Sequence, residues 1–162
     1  MGTRCGDIDA FLIPYIMRET GKSLDEVVNI LNKESGLLGV SGVSSDFRDV
    51  QEAAANGNER AQLALDIFFR RVIAYIGRYF IALGGVDAIC FTAGIGENSF
   101  FARKEICNLL AEALGIEIDD DANVNGKGDR LISTPNSKVK VYVIPTNEEL
   151  VIARDTKRLL NL

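Results

Sequence analysis

A glycine-rich turn within Val86–Ser99, VDAICFTAGIGENS, holds the residues best suited to meet a ligand. A buried β run opens there onto Gly94-Ile95-Gly96-Glu97-Asn98 and then a helix. Two glycines let the backbone approach a bound molecule closely, and a helix start offers free N–H groups to anionic or polar groups. The motif lacks the third glycine of a dinucleotide fingerprint and the Lys-Ser/Thr ending of a P-loop. Taken alone, it is also an ordinary strand-to-helix turn. Asp46-Phe47-Arg48 combines an acceptor, a flat apolar face and a cation, types that can hold an adenosine by hydrogen bond, stacking and charge. The same three residues also read as a helix cap with a hydrophobic staple. Asp121-x-Asn123-x-Asn125-Gly126 copies the first half of a calcium loop, but its twelfth position is Ile132 and a strand is expected to follow. A solvated turn is the expectation there.

Composition narrows the partners. The chain has 162 residues, 47% hydrophobic, with a net charge of −5. That length can bury a substantial core and suggests one domain. The acidic balance, without a basic run interleaved with aromatics, argues against nucleic acid. No apolar run is long enough to span a bilayer, and no basic-then-apolar leader opens the chain. Cys5, Cys90 and Cys107 form neither a CxxC pair nor an even framework, so a reducing cytoplasm is the natural setting. Histidine is absent. That removes Ser-His triads, Cys-His pairs and imidazole metal sites, and leaves chemistry to carboxylates, arginines, lysines and backbone dipoles.

The elements that must position these residues alternate between helix and strand. Asp9 to about Thr20 reads as a helix stopped by Gly21, and Ser23-Leu-Asp-Glu26 as a capping box opening a second helix to about Glu34. Residues 36–43 read as a glycine-rich apolar loop, followed by cap candidates Ser44-Ser45-Asp46 and a short helix over Val50 to Ala55. Asn58 caps the longest helix, Glu59 to Leu83, whose apolar residues recur near 3.6 and predict a buried spine. A strand over Ala88 to Thr92, a helix over Phe100 to Leu114 ended by Gly115, a strand over Lys138 to Ile144 and a helix over Glu148 to Leu160 follow. Two loops, Thr92 to Ser99 and Ile144 to Glu149, thus leave strands for helix starts. In an open α/β sheet such loops lie at the carboxyl edge, where ligands bind.

Four stretches in this order, Met1-Gly-Thr-Arg4-Cys-Gly-Asp-Ile-Asp9, Ser41-Gly-Val-Ser-Ser-Asp46-Phe47-Arg48-Asp49, Thr92-Ala-Gly94-Ile-Gly96-Glu97-Asn98-Ser99 and Ile144-Pro-Thr-Asn-Glu148-Glu149, resemble the acetate kinase family over essentially the whole chain. The resemblance implies an α/β, actin-like ATPase (ribonuclease H-like) fold shared with sugar kinases, Hsp70 and actin, with a mixed sheet flanked by helices. It implies Mg²⁺-dependent, reversible transfer of the γ-phosphoryl of ATP to acetate, giving acetyl phosphate and ADP, in the cytoplasm and in the service of acetyl-CoA biosynthesis. Propionate or butyrate kinase of the same family remains open, as does a non-catalytic module that binds nucleotide or dimerises.

By resemblance Arg4 is catalytic, because a planar, permanently charged guanidinium suits the charge on transferring phosphoryl oxygens. Without the resemblance it reads as a surface arginine near a chain end. Asp46, Phe47, Arg48, Gly94, Ile95, Gly96, Glu97 and Asn98 become nucleotide-binding, and Glu148 a Mg²⁺ ligand, although a first-turn glutamate also suits the helix dipole. Asp7 and Asp9 read instead as helix caps and supports of the Arg4 loop. Ala10 departs from the family's usual proline. The resemblance further implies that this chain is the C-terminal, nucleotide-binding part of a longer kinase, without the N-terminal domain that carries the catalytic histidine and much of the acetate pocket. The expectations are a homodimer through this domain and no turnover by the piece alone.

Overall fold

The structure, a computed structural model, describes residues 1–160 and not the side chain of Glu148. The chain divides into two compact units, Met1–Ala74 and Tyr75–Leu162. No helix among the described residues is long and apolar enough to cross a membrane.

The first unit is helical. Its N-terminal segment leads to α1 (Leu12–Thr20), closed by Gly21 in the left-handed conformation that glycine adopts most readily. Next comes α2 (Leu24–Lys33), opened by the expected reciprocal capping box between Ser23 and Glu26. Residues 36–41, expected as a loop, form a helix instead: α3 (Gly36–Ser41). Glycine's low propensity is overridden there by tertiary contacts. Two N–H groups at the helix start, those of Leu37 and Leu38, donate to the carbonyls of Met1 and Gly2 at 3.0 Å each, and Leu37 is buried. Helix α4 (Phe47–Ala55) starts three residues earlier than expected, with Asp46 as its N-cap. Val27, Leu37, Phe47, Val50, Ala61, Ala64, Leu65 and Phe69 form the core.

Helix α5 (Glu59–Leu83) begins in the first unit and ends in the second. Asn58 caps it as expected, its Oδ1 accepting from the Ala61 N–H at 3.0 Å. Only the N-terminal half is a buried spine. Farther along, Phe80 is half-buried, while Tyr79, Ile81 and Leu83 are 64%, 77% and 74% exposed. The periodicity marks a face that can be covered, and the described residues cover only its first three turns.

In the second unit a three-stranded mixed sheet has the order β1-β3-β2. Strand β1 (Ala88–Phe91) runs parallel to β3 (Lys140–Val143), with Ala88 opposite Lys140, and the two-residue β2 (Arg130–Leu131) is antiparallel to β3. Strand β3 is central, and Val141 and Val143 are wholly buried. Strand β1 departs from the expectation of a buried run: it lies at the sheet edge and alternates between exposed and half-buried. Helix α7 (Phe100–Leu114) has its Ser99 cap and Gly115 stop where the sequence places them. Helix α9 (Glu148–Leu160) follows Asn147, whose Oδ1 accepts from the Leu150 N–H at 3.0 Å.

Two further short helices lie beside this sheet. Residues 93–98, expected as a glycine turn, form α6 (Ala93–Asn98), and residues 120–125, expected as a solvated turn, form α8 (Asp120–Asn125). Asp119 caps α8 by accepting from the Ala122 N–H, and Asn123 within it is fully buried. A calcium loop would need its acidic and amide side chains turned toward a common cation. Asn123 instead faces the protein interior, where it bonds Arg103.

Candidate nucleotide site

In the first unit, the residues singled out by sequence lie on adjoining segments. A Cβ at Gly2 would meet the Ser45 carbonyl oxygen at 2.6 Å, so only glycine lets the N-terminal segment lie flat against the turn carrying Asp46. Gly36 has a φ of 59°, and a Cβ there would meet the Arg4 carbonyl oxygen at 2.9 Å. Two close backbone approaches thus pin the segment bearing Arg4 between α3 and the start of α4. The Cys5 N–H donates to the Leu31 carbonyl at 2.8 Å and fixes the segment farther along. Arg4 itself is exposed, and among the described residues its guanidinium makes no hydrogen bond or ion pair.

Asp46, Phe47 and Arg48 differ in what they offer. The Asp46 carboxylate accepts the Arg48 backbone N–H at 2.8 Å and the Arg48 guanidinium at 3.1 and 2.6 Å, a two-pronged pair. Hydrogen bonds from the Arg48 side chain and backbone hold the Asp46 carboxyl down to about 2. Phe47 is only 5% exposed, with its ring centroid 5.4 Å from that of Phe68 and 6.1 Å from that of Phe69. An apolar side chain in the first turn has been recruited to the core, and the aromatic cluster leaves its ring little free face.

In the second unit, parallel pairing puts the carboxyl ends of β1 and β3 side by side. The Ile144 N–H donates to the Phe91 carbonyl at 2.9 Å and carries the pairing one residue beyond β3. Beyond it the Thr92 and Thr146 hydroxyls lie 2.6 Å apart. The Glu97 carboxylate accepts the Thr146 N–H at 2.7 Å and the Thr146 hydroxyl at 3.0 Å. These bonds hold the Glu97 carboxyl below the usual range, the Thr146 backbone bond contributing most. Ala93, with φ 58°, is the one non-glycine residue at positive φ among those described; its N–H donates to the Thr146 hydroxyl at 3.2 Å.

The two glycines of this loop have different tasks. A Cβ at Gly94 would meet nothing within 4 Å, so its backbone faces open space. At Gly96 a Cβ would lie 3.3 Å from the Phe91 carbonyl carbon, so here glycine lets α6 pack on the strand. Ile95 is half-buried, and the Asn98 amide donates back to the Gly94 carbonyl at 2.8 Å. Sequence reasoning missed Thr92, Thr146 and the buried Arg103. The signal available for the threonines was their place immediately after each strand.

Among the described residues no three His, Cys, Asp or Glu side chains converge as metal ligands. Glu148, the expected Mg²⁺ ligand, is the first residue of α9, directly after the Thr146-Asn147 loop; its side chain lies outside the described residues.

Comparison with known proteins agrees with the motif pattern. The model of the acetokinase family matches residues 1–154. The chain is 60% identical over 162 residues to an acetate kinase of Clostridium kluyveri, covering 99% of this chain and 40% of that protein. It is 58% identical over 163 residues to an acetate kinase of Geobacillus kaustophilus, covering all of this chain and 41% of that protein. Among solved structures, Porphyromonas gingivalis acetate kinase superposes with a TM-score of 0.88 at 45% identity, over 99% of this chain and 40% of that one. A propionate kinase from Francisella tularensis gives 0.86 at 42% identity, over 96% and 39%. The chain therefore spans about two fifths of the length of the curated relatives it matches.

Proposed function

This chain belongs to the acetokinase family, and from that membership we propose that it forms the nucleotide side of a kinase that transfers the γ-phosphoryl of ATP reversibly to acetate. Its α/β fold, a small mixed sheet flanked by helices, is the actin-like ATPase fold of its structural neighbours. The observation that carries the proposal is the junction of the two carboxyl-edge loops through Thr92, Glu97 and Thr146. It sets the glycine-bearing α6 beside the start of α9 at the edge where open α/β sheets bind ligands.

In this reading the open backbone at Gly94 admits the adenosine, which residues 94–98 line. Asp46 and Arg48 contribute polar and charged contacts. Phe47 acts by anchoring the first turn of α4 to the core, which fixes the backbone its neighbours present. Arg4, exposed and without a side-chain partner among the described residues, neutralises charge on the phosphoryl group in transit. Mg²⁺ commonly takes one or two carboxylates with substrate phosphates and water, so such a site needs no cluster of protein ligands. Glu148 would hold the ion, which supplies neutralisation of phosphate charge.

The chain has no histidine, and we expect no turnover from it alone, with the acetate pocket and the remaining catalytic groups supplied by the rest of such a kinase. Assembly as a homodimer through this domain and a place in the cytoplasm complete the proposal. Propionate is the second acceptor to test, because one structural neighbour is a propionate kinase.

The test is calorimetric titration of Mg·ATP and Mg·ADP into the chain, alongside Asp46→Ala and Asn98→Ala, with acyl phosphate assayed in the same samples using acetate and propionate. The expected result is binding that both substitutions weaken, without acyl phosphate. A folded chain that binds neither nucleotide would overturn the proposal for this chain.

A further inference from the structure

Arg103 is a buried arginine whose bonds all go to neutral oxygens. It is 2% exposed, on the first turn of α7. Its Nη1 donates to the carbonyls of Gly96 at 3.0 Å and Glu97 at 2.8 Å. On its other side Nε donates to Asn123 Oδ1 at 2.7 Å, and Nη2 to the Asn123 carbonyl at 2.6 Å. Asn123, itself 0% exposed, donates from Nδ2 to the Phe100 carbonyl at 3.0 Å. No carboxylate among the described residues pairs with the guanidinium. Burial, with Arg130 nearby, works against its charge.

A buried cation without an acid is costly to the fold, and apolar replacements usually serve stability as well or better. The destination of the bonds gives this one a purpose. Gly96 and Glu97 lie at the end of α6, where helix carbonyls lack intrahelical partners. A rigid fork can hold both while its remaining donors grip Asn123, and a lysine ammonium has neither that planarity nor that reach. The loop is then held at two points: the Glu97 side chain by Thr146 on β3's loop, and the Gly96 and Glu97 carbonyls by Arg103.

We propose that Arg103 is the positioning residue of the nucleotide loop, setting the backbone of residues 94–98 from beneath, and that Asn123 on α8 in turn orients Arg103. The role in nucleotide binding rests on the function proposed above; the role in ordering the loop does not.

The test compares Arg103→Lys with the unsubstituted chain by amide hydrogen exchange and by calorimetric titration of Mg·ADP. Exchange at residues 94–99 should rise by about tenfold or more while residues 140–143 keep their protection, and the Mg·ADP dissociation constant should rise by about tenfold, the change that losing about one hydrogen bond's worth of loop ordering makes. Asn123→Ala should give the same pattern more weakly, and it carries the test if Arg103→Lys does not fold. A folded Arg103→Lys chain with unchanged exchange at 94–99 overturns the positioning role. If the loop loosens in Arg103→Lys but the unsubstituted chain binds no Mg·ADP, the positioning role stands and the nucleotide reading of the loop falls.

Discussion

The Thr92 and Thr146 hydroxyls lie 2.6 Å apart, joining residues 54 positions distant in sequence just beyond the ends of two parallel strands. Through this contact and the two bonds from Thr146 to Glu97, the loop after β1 and the loop after β3 form one hydrogen-bonded unit.

Thr146→Val keeps the shape of the side chain and removes its hydroxyl, ending the contacts to Thr92, Glu97 Oε1 and the Ala93 N–H while leaving the backbone bond to Glu97. A loss of about 1 kcal/mol is expected. Ala93 should show the effect first, because its positive φ is supported by that hydroxyl. Urea denaturation measures the loss, and faster exchange of the Ala93 amide would localise it; unchanged exchange there would count against the joint.

Asp46 should titrate near pH 2, below the ordinary 3.8. A carboxyl with a depressed folded-state pKa contributes stability that is complete above its unfolded value and lost as pH falls through its folded one. The Asp46–Arg48 contribution is therefore present above about pH 4 and fades toward pH 2. Carboxyl-carbon NMR of Asp46 reads the midpoint, and Arg48→Ala should move it toward 3.8. A midpoint already near 3.8 in the unsubstituted chain would show that the pair does not persist in solution.

Phe47→Ala removes a nearly buried ring from the Phe68–Phe69 cluster and should cost about 3–5 kcal/mol. Chemical denaturation monitored by circular dichroism checks this. A loss below 1 kcal/mol would mean that the ring is free to serve as a stacking surface after all.

Thiol reactivity should separate the cysteines. Cys107 is buried, and burial pushes its thiol up to about 12, whereas Cys90 on the sheet-edge strand is exposed. Brief alkylation near pH 8 followed by mass spectrometry should label Cys90 and spare Cys107 until the chain is unfolded. Equal labelling of the native protein would contradict the burial.

Local signals were legible where chemistry and conformation coincide within a few residues. The Ser23–Glu26 capping box, the Gly21 and Gly115 stops and the span Phe100–Leu114 follow from capping and periodicity. What escaped depends on distant partners. The α3 segment looked like a loop because its helix start is completed by Met1 and Gly2 carbonyls, and Asn123 looked solvated because its partner Arg103 is twenty residues away. The apolar stretch of β1 implied burial, yet strand order, not composition, placed it at the sheet edge. For the candidate site, residue types suggested which loops matter. They did not disclose that the Phe47 ring packs against Phe68 and Phe69, nor that Thr146 and Arg103 hydrogen-bond to Ala93, Gly96 and Glu97.

The pairing of Ala88 with Lys140 also bears on how the molecule is made. More than fifty residues separate these partners, so the chain must close a long loop before the sheet rewards it with hydrogen bonds. During synthesis β1 is complete while β3 is still unmade, and its edge waits unpaired. The loop that carries Gly94 to Asn98 can take its final shape only after Thr146 has emerged, so this part of the candidate site forms later than the segments that hold Arg4 and Asp46.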